Sequence, residues 1–355
     1  MMIPLLLGFL VFQGAPADDR LFPVNPAGGQ WGYIDVEGRV VIEPQYREAR
    51  RFSGGRGAVS VEGGTGFIDT AGKVVVPCVY WQVRPFSEGL ASVMGADLQW
   101  GAVDPEGTVV IPLKYEFVGP CSDGLVRVRT KGKKEGPQFL DKKGNLALPA
   151  LKNVQVAEDF SEGLACVDNG NYIDKKGKVV FRTNGLSKRF SEGLAAFTTS
   201  SGAGYYLDRT GKVVIGPPAK VEGGEIRLDT STMKDCKFWG GGNFSCGLAV
   251  VKEASGGLHG YLNPKGQFEI PPRYVQAASF SEDRAFVEWR DQDGRSQRGI
   301  IDKTGQVVIP LEFGVQAEPF VGGLARLSNT TLTGKWIWRY VDRSGKIIWE
   351  AGSRK

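Results

Sequence analysis

At 355 residues, with 41% of them hydrophobic, the chain is long enough to bury one large repetitive core or two average ones. Its 44 basic and 39 acidic residues are interspersed and leave a formal net charge of +5, so no polybasic stripe marks a nucleic-acid binder. Fifty glycines and 19 prolines, against four methionines and one histidine, point to tight turns and short strands and exclude multi-histidine metal centres.

The first 17 residues, MMIPLLLGFLVFQGAPA, carry an apolar run from Ile3 to Phe12 and then the small-residue pattern Ala15-Pro16-Ala17. Such a run is too short to span a bilayer, which takes roughly 20 apolar residues. It predicts a signal peptide over residues 1–17, hence an exported chain, over the alternative of a buried or frayed apolar start. No basic n-region precedes it and no cysteine follows it, so no lipid anchor is predicted. Residues 18–355 read as one repeat domain.

The first repeated element is Asp or Asn, two residues, then Gly. It occurs at Asp35 and Gly38, Asp69 and Gly72, Asp104 and Gly107, Asp141 and Gly144, Asp174 and Gly177, Asp208 and Gly211, Asn263 and Gly266, Asp302 and Gly305, and Asp342 and Gly345. Successive copies lie 33 to 40 residues apart, except for one interval of 55. That spacing signals about eight or nine units with one insertion, over residues 216–242. Asp bonding forward to the backbone, Pro105 or Pro264 in second place and Gly where positive φ is needed make each copy a hairpin turn. Short aromatic and aliphatic strands such as Trp31-Gly32-Tyr33-Ile34 lead in, and β-branched strands such as Val74-Val75-Val76 lead out. Because the second strand is apolar at consecutive positions, it is expected to be covered on both faces by stacked neighbours.

A second element interlocks with the first. FSEGLA is spelled identically from Phe86, Phe160 and Phe190, and looser copies begin at Phe52, Cys121, Phe244, Phe280 and Phe320. The fourth position is Gly in seven copies and Asp283 in the eighth, as a left-handed backbone there requires. The hexapeptide therefore reads as a turn feeding the strand Leu-Ala-x-Val, with its Phe plugging the space between units. One unit thus holds three strands, with room for a short fourth.

The run GQWGYIDVEGRVVIEPQYREARRFSGG, Gly29 to Gly55, resembles a unit of the bacterial WG-repeat (KWG) proteins, and similar units cover nearly the whole chain after residue 17. The namesake pair itself survives at Trp31-Gly32 and Trp100-Gly101. The resemblance implies an all-β repeat, often exported, with no established catalytic chemistry. The residues allow a closed β-propeller, favoured because neither end offers a polar capping segment, or an open or curved β-solenoid.

Chemistry is sparse. Five cysteines without regular spacing form no CxxC motif, and Cys236 with Cys246 read equally as one local disulfide or as small apolar fillers. No nucleophile elbow, HExxH or phosphate loop is present, and no cofactor or metal is predicted. His259 reads as a strand-end surface residue. Glu88, Glu162, Glu192 and Glu282 share one repeat position, so turn chemistry accounts for them better than catalysis or calcium binding. The insertion breaks the period and is the expected binding element, with Asp235, Lys237, Phe238 and, above all, Trp239 as contacts. The leading expectation is a non-enzymatic exported binding or scaffold protein with a protein or glycan partner. A propeller-borne glycan hydrolase or lyase using Asp229 or Asp235, or a purely structural envelope component, are the alternatives. Neither partner identity nor oligomeric state is written in the sequence.

Overall fold

The computed structural model describes residues 19–26, 28–130, 132, 136–149, 154–168, 170–183, 185–200, 202–216, 219–222, 225–228, 238–312, 314–330 and 336–351. The predicted signal segment 1–17 and residues 229–237 of the insertion lie outside them. Every element of regular structure among the described residues is a β-strand. Sheets of three to five strands follow one another along the chain, each built on an antiparallel meander of neighbouring segments. One seven-stranded sheet is two units fused through the 14-residue strand Val109–Ser122, so the eight sheets hold nine units.

A complete unit is Gln276–Ala277, Ala285–Arg290, Ser296–Ile301 and Val307–Leu311, paired in that order. The second and third strands form the core, because sheets stack on both of their faces. Ala91–Met94 and Trp100–Val103 are buried at every position. The fourth strand differs from expectation. In Val40–Tyr46 and Val74–Tyr80 the first valine is exposed and, of the first three residues, only Ile42 or Val76 is buried. It is the edge strand at the rim, where diverging sheets no longer cover both faces, so its valines supply strand propensity and not core volume.

The Asp-x-x-Gly element closes three-residue hairpins between the third and fourth strands. Asp35 Oδ1 accepts from the amides of Glu37 (3.0 Å) and Arg39 (2.9 Å), and Gly38 closes the turn with φ of 83°. The same side-chain bonds recur at Asp69, Asp104, Asp174 and Asp302. Their glycines behave alike: Gly72, Gly177 and Gly305 have φ of 83°, 78° and 82°, and each donates its amide to the carbonyl of Asp69 (3.0 Å), Asp174 (2.9 Å) or Asp302 (3.0 Å). The glycine of this turn also touches the unit before it. A Cβ on Gly107 would stand 2.8 Å from the Val75 carbonyl oxygen, leaving room for hydrogen alone.

FSEGLA is a two-residue hairpin that staples neighbours together. Ser161 and Leu164 exchange both backbone bonds, with Glu162 (φ 53°) and Gly163 (φ 88°) between them. Both central residues are left-handed, a conformation in which Gly is easy and Glu costs roughly 1–2 kcal/mol. The reason for Glu is its carboxylate, which accepts the Gly193 amide of the next unit at 3.0 and 3.1 Å. Glu88 accepts from Asp123 and Gly124, Glu192 from Gly247, and Glu282 from Gly322 and Gly323 in the same way. Ser122, Ser161, Ser191, Ser245 and Ser281 each donate to the carbonyl of the next unit's leading Phe, as Ser161 to Phe190 and Ser191 to Phe244, both at 2.7 Å; Ser87 donates to the Cys121 carbonyl, and Ser53 instead accepts from the Phe86 amide. The phenylalanine fills the seam, Phe86 meeting Phe67 edge-on at 4.7 Å and Phe280 meeting Tyr261 at 4.8 Å.

The ends join by these same contacts. Phe22 meets Tyr340 edge-on at 5.3 Å, Trp31 stacks on Trp338, and a Cβ on Gly38 would stand 2.5 Å from the Ile348 carbonyl oxygen. Phe22, Val24, Ile34, Leu324 and Tyr340 form one buried cluster between the first and last units. The nine units therefore close as a β-propeller.

Candidate functional site

In the third, sixth, seventh, eighth and ninth units the first strand is only two residues long and lies at the opposite edge of the sheet from the rim strand, toward the ring axis. Burial alternates along it: Gln82 is exposed and Val83 buried; Gln276 is exposed and Ala277 half-buried against the core. The first residue of each of these two pairs therefore faces away from the packed seam.

Register identifies the equivalent residue in the second to ninth units. It pairs with the fourth residue after the fifth position of the hexapeptide, the position that Leu90, Leu194 and Leu248 hold. The pairs are Glu48 with Ser60, Gln82 with Met94, Phe117 with Arg129, Leu186 with Thr198, Trp239 with Lys252, Gln276 with Glu288 and Gln316 with Ser328. In the fifth unit Val156 holds the place, its carbonyl accepting from Asp168. The series splits in two. Glu48, Gln82, Gln276 and Gln316 are polar, whereas the four consecutive units between them carry Phe117, Val156, Leu186 and Trp239. Val156, Leu186 and Trp239 are 55%, 65% and 51% exposed. One arc of the inner wall is thus apolar and open to solvent, a surface of the kind soluble proteins keep for contacts.

The described hairpin of the insertion lies away from this arc, on the outer edge of the fifth unit. Ala219–Glu222 and Glu225–Leu228 form a hairpin, and the latter pairs in parallel with Val179–Thr183, widening the sheet of the fifth unit. Its glycine-rich surroundings suggest a loop for Trp239, and the structure corrects this: Trp239 ends the strand Phe238–Trp239 and is bridged to Ala203 of the preceding unit. Phe238 is buried against Tyr206, so it serves the core and not the binding surface. Asp235, Lys237 and Asp229 lie outside the described residues, as does Cys236; Cys246 is a free thiol in the turn position that holds Glu elsewhere. The turn residues Gly72, Gly177 and Gly305, like Gly38 and Gly107, sit between the third and fourth strands of their units, two strands from the arc, and shape the frame without lining the site. His259 opens the strand His259–Leu262, half-buried, opposite Lys252 and Tyr274. Among the described residues no three His, Cys, Asp or Glu side chains gather as a metal site.

At the Phe117 end the arc runs into a cavity of about 290 Å³ lined by Phe117, Arg127, Arg129, Pro137, Gln155 and Val156, among others. Phe117 lies between two guanidiniums, Arg84 and Arg127, each 4.8 Å from its ring centroid. Arg84 also stacks on Trp100 at 4.5 Å and donates to the Val118 carbonyl, and burial there lowers its pKa from the usual arginine value. Arg127 bonds Asp159 at 2.8 Å, and Arg129 bonds Glu116 at 2.9 Å. This fixes the Phe117 ring and engages one N–H of each of Arg127 and Arg129, both of which line the cavity.

Sequence reasoning reached Trp239 but missed Phe117, Val156 and Leu186. Their common position is defined by cross-strand pairing. In the seventh unit the Gly240-Gly241-Gly242 run shifts Trp239 one place further from the next Phe than its counterparts, which hides the equivalence in the sequence.

Five stretches of the chain, residues 31–64, 66–94, 100–133, 260–288 and 299–336, match the family described as WG containing repeat. The unmatched interval 134–259 carries Val156, Leu186 and Trp239. No curated protein matches the chain. Among solved structures it is similar to a eukaryotic initiation factor, with a TM-score of 0.57 at 12% identity over 94% of this chain and 96% of that one. Weaker likenesses, with TM-scores of 0.39 and 0.37, are to BamB from Moraxella catarrhalis (13% identity, 77% of this chain, 85% of that one) and apo AztD from Citrobacter koseri (14% identity, 94% of each). The first of these likenesses bears on fold alone.

Proposed function

The chain is a WG-repeat protein, and from that premise we propose that it is a non-enzymatic binding or scaffold protein, exported on the signal-like segment 1–17, that holds a protein or glycan partner. One observation carries the reading: the open apolar arc of Val156, Leu186 and Trp239 on a frame that is otherwise built of repeated staples. Exposed apolar side chains on backbone held by cross-strand pairing lose little conformational entropy when covered, and a tryptophan is a favoured anchor. The repeated carboxylates support a non-catalytic reading, because Glu88, Glu162, Glu192 and Glu282 are occupied in holding turns.

The test is capture of partners from envelope and secreted fractions on the immobilised chain, with Trp239→Ala and Leu186→Ser as variants. Loss of the same partner from both supports the arc. Undiminished capture by the double variant removes it.

A further inference from the structure

Resting on that reading of the arc, we infer that its occupant is an extended acidic and apolar peptide segment. Its apolar side chains lie on Val156, Leu186 and Trp239, and one carboxylate-bearing side chain enters the cavity beside Arg127 and Arg129.

The chemistry of the arc selects a peptide over a glycan. Val156 and Leu186 offer neither a ring face for a sugar to stack on nor a hydrogen bond for a hydroxyl. What they can cover is another apolar side chain. They are single exposed residues on successive units, Val156 beside buried Ala157 and Leu186 beside half-buried Ser187. An extended chain presents side chains to one side at every second residue, roughly 7 Å apart, and so meets a row of separate knobs.

Charge selects the acidic end. Arg127 and Arg129 line the cavity, and each engages one carboxylate through one of its five N–H donors. Among the described residues the carboxylates nearby are mostly committed: Asp159 to Arg127, Glu116 to Arg129, and Asp168 to the amides of Gln155 and Val156. Glu158, exposed and within the field of Asp159, Arg127, Arg189 and Lys188, is the exception. Further along the arc, Lys188 donates to the Gly241 carbonyl and Lys252 stands opposite Trp239, neither with a carboxylate partner among the described residues. A peptide carboxylate at the cavity finds unused guanidinium donors beside the apolar wall of Phe117, Val128 and Ala157, where a charge-assisted bond is stronger than in open water.

The experiment is fluorescence anisotropy with the full chain and three labelled, amide-capped peptides that alternate Leu and Ser and differ in one residue, Glu, Gln or Lys. The Glu peptide should bind about tenfold more tightly than the Gln peptide, and the Lys peptide more weakly still. Arg129→Ala, whose partner Glu116 is on the surface, should erase the difference between Glu and Gln; thermal melting checks that the variant folds. Equal binding of Glu and Gln peptides overturns the carboxylate pocket but leaves the arc as a contact surface, provided that Leu186→Ser still weakens both. Binding of none of them, with capture of a partner that Leu186→Ser abolishes, overturns the peptide assignment alone. Displacement of the Glu peptide by oligosaccharides from the same fractions points to a glycan and also overturns it.

Discussion

The Tyr340 hydroxyl donates to the carbonyl of Pro23 at 3.2 Å, joining residues 317 positions apart. Other third-strand tyrosines reach forward into the next unit: Tyr33 to Arg50, Tyr172 to Lys188, Tyr206 to Gly242 and Tyr261 to Ala278. The last unit thus treats the first as its successor. Scattering should give a radius of gyration of about 20 Å, as for a compact chain of this length, where an open array would be distinctly larger.

Gly38 and Gly107 test closure directly. Each has positive φ and each would drive a Cβ into a carbonyl of the preceding unit, Ile348 for the first and Val75 for the second. Gly38→Ala and Gly107→Ala should both cost about 2–4 kcal/mol by chemical denaturation. A ring open between its ends leaves Gly38→Ala with only its turn strain, roughly 1 kcal/mol, and the two variants would then separate.

Glu162 sets a carboxylate bond between units against a strained backbone. Glu162→Ala loses the bonds to Gly193 and keeps the left-handed strain, so it should destabilise by about 1–3 kcal/mol. Glu162→Gly loses the same bonds but relieves the strain, and should recover roughly 1 kcal/mol of that. Gly54 already occupies this position in the second unit. Equal melting temperatures for the two variants would remove strain from the account.

Acid should loosen the turns first. The amide of Asn145, with its side chain, holds the Asp141 carboxyl below the ordinary range, and the Gln297 side chain with the Arg295 amide does so for Asp291. A carboxylate with a lowered folded pKa contributes stability that is present above its unfolded pKa, about 4, and is lost as pH falls through the folded value. Stability against denaturant should hold down to about pH 5 and decline below pH 4. Asp141→Asn should flatten that decline, and an unchanged profile would assign acid sensitivity to other groups.

Trp239→Ala should leave stability nearly unchanged while removing partner capture, because its ring is half exposed and its strand is held by Phe238 in the core. Phe238→Ala should cost about 3–5 kcal/mol, as truncation of a buried aromatic does. Paired melting and capture measurements separate the two roles, and a Trp239→Ala variant as unstable as Phe238→Ala would make Trp239 structural.

How far the sequence could be read depended on the distance over which each feature acts. Asp35 and Gly38 declare their turn because every atom that shapes it lies within five residues, and the pairs ending in Gly72, Gly177 and Gly305 do so for the same reason. Phe86 declares its seam because a repeat must meet its own copy. The valines after the turn misled, since consecutive apolar residues fit a strand covered twice as well as a rim strand where β-branched residues serve propensity. Glu162 was legible as part of a turn but not as a staple, because its acceptor role involves an amide 31 positions away.

The local chemistry of this chain, repeated at a near-constant interval, was sufficient to determine an all-β array of stacked hairpins. Which residues share the inner wall was decided by tertiary structure alone. Phe117, Val156 and Leu186 share a fixed place four residues before Cys121, Phe160 and Phe190, but Trp239, five before Phe244, joins them only through cross-strand pairing, and the four become neighbours only when the sheets close around an axis. Repetition is a property of spacing along the chain and survives in the sequence; adjacency across a ring is a property of register and closure, and no stretch of sequence encodes it locally.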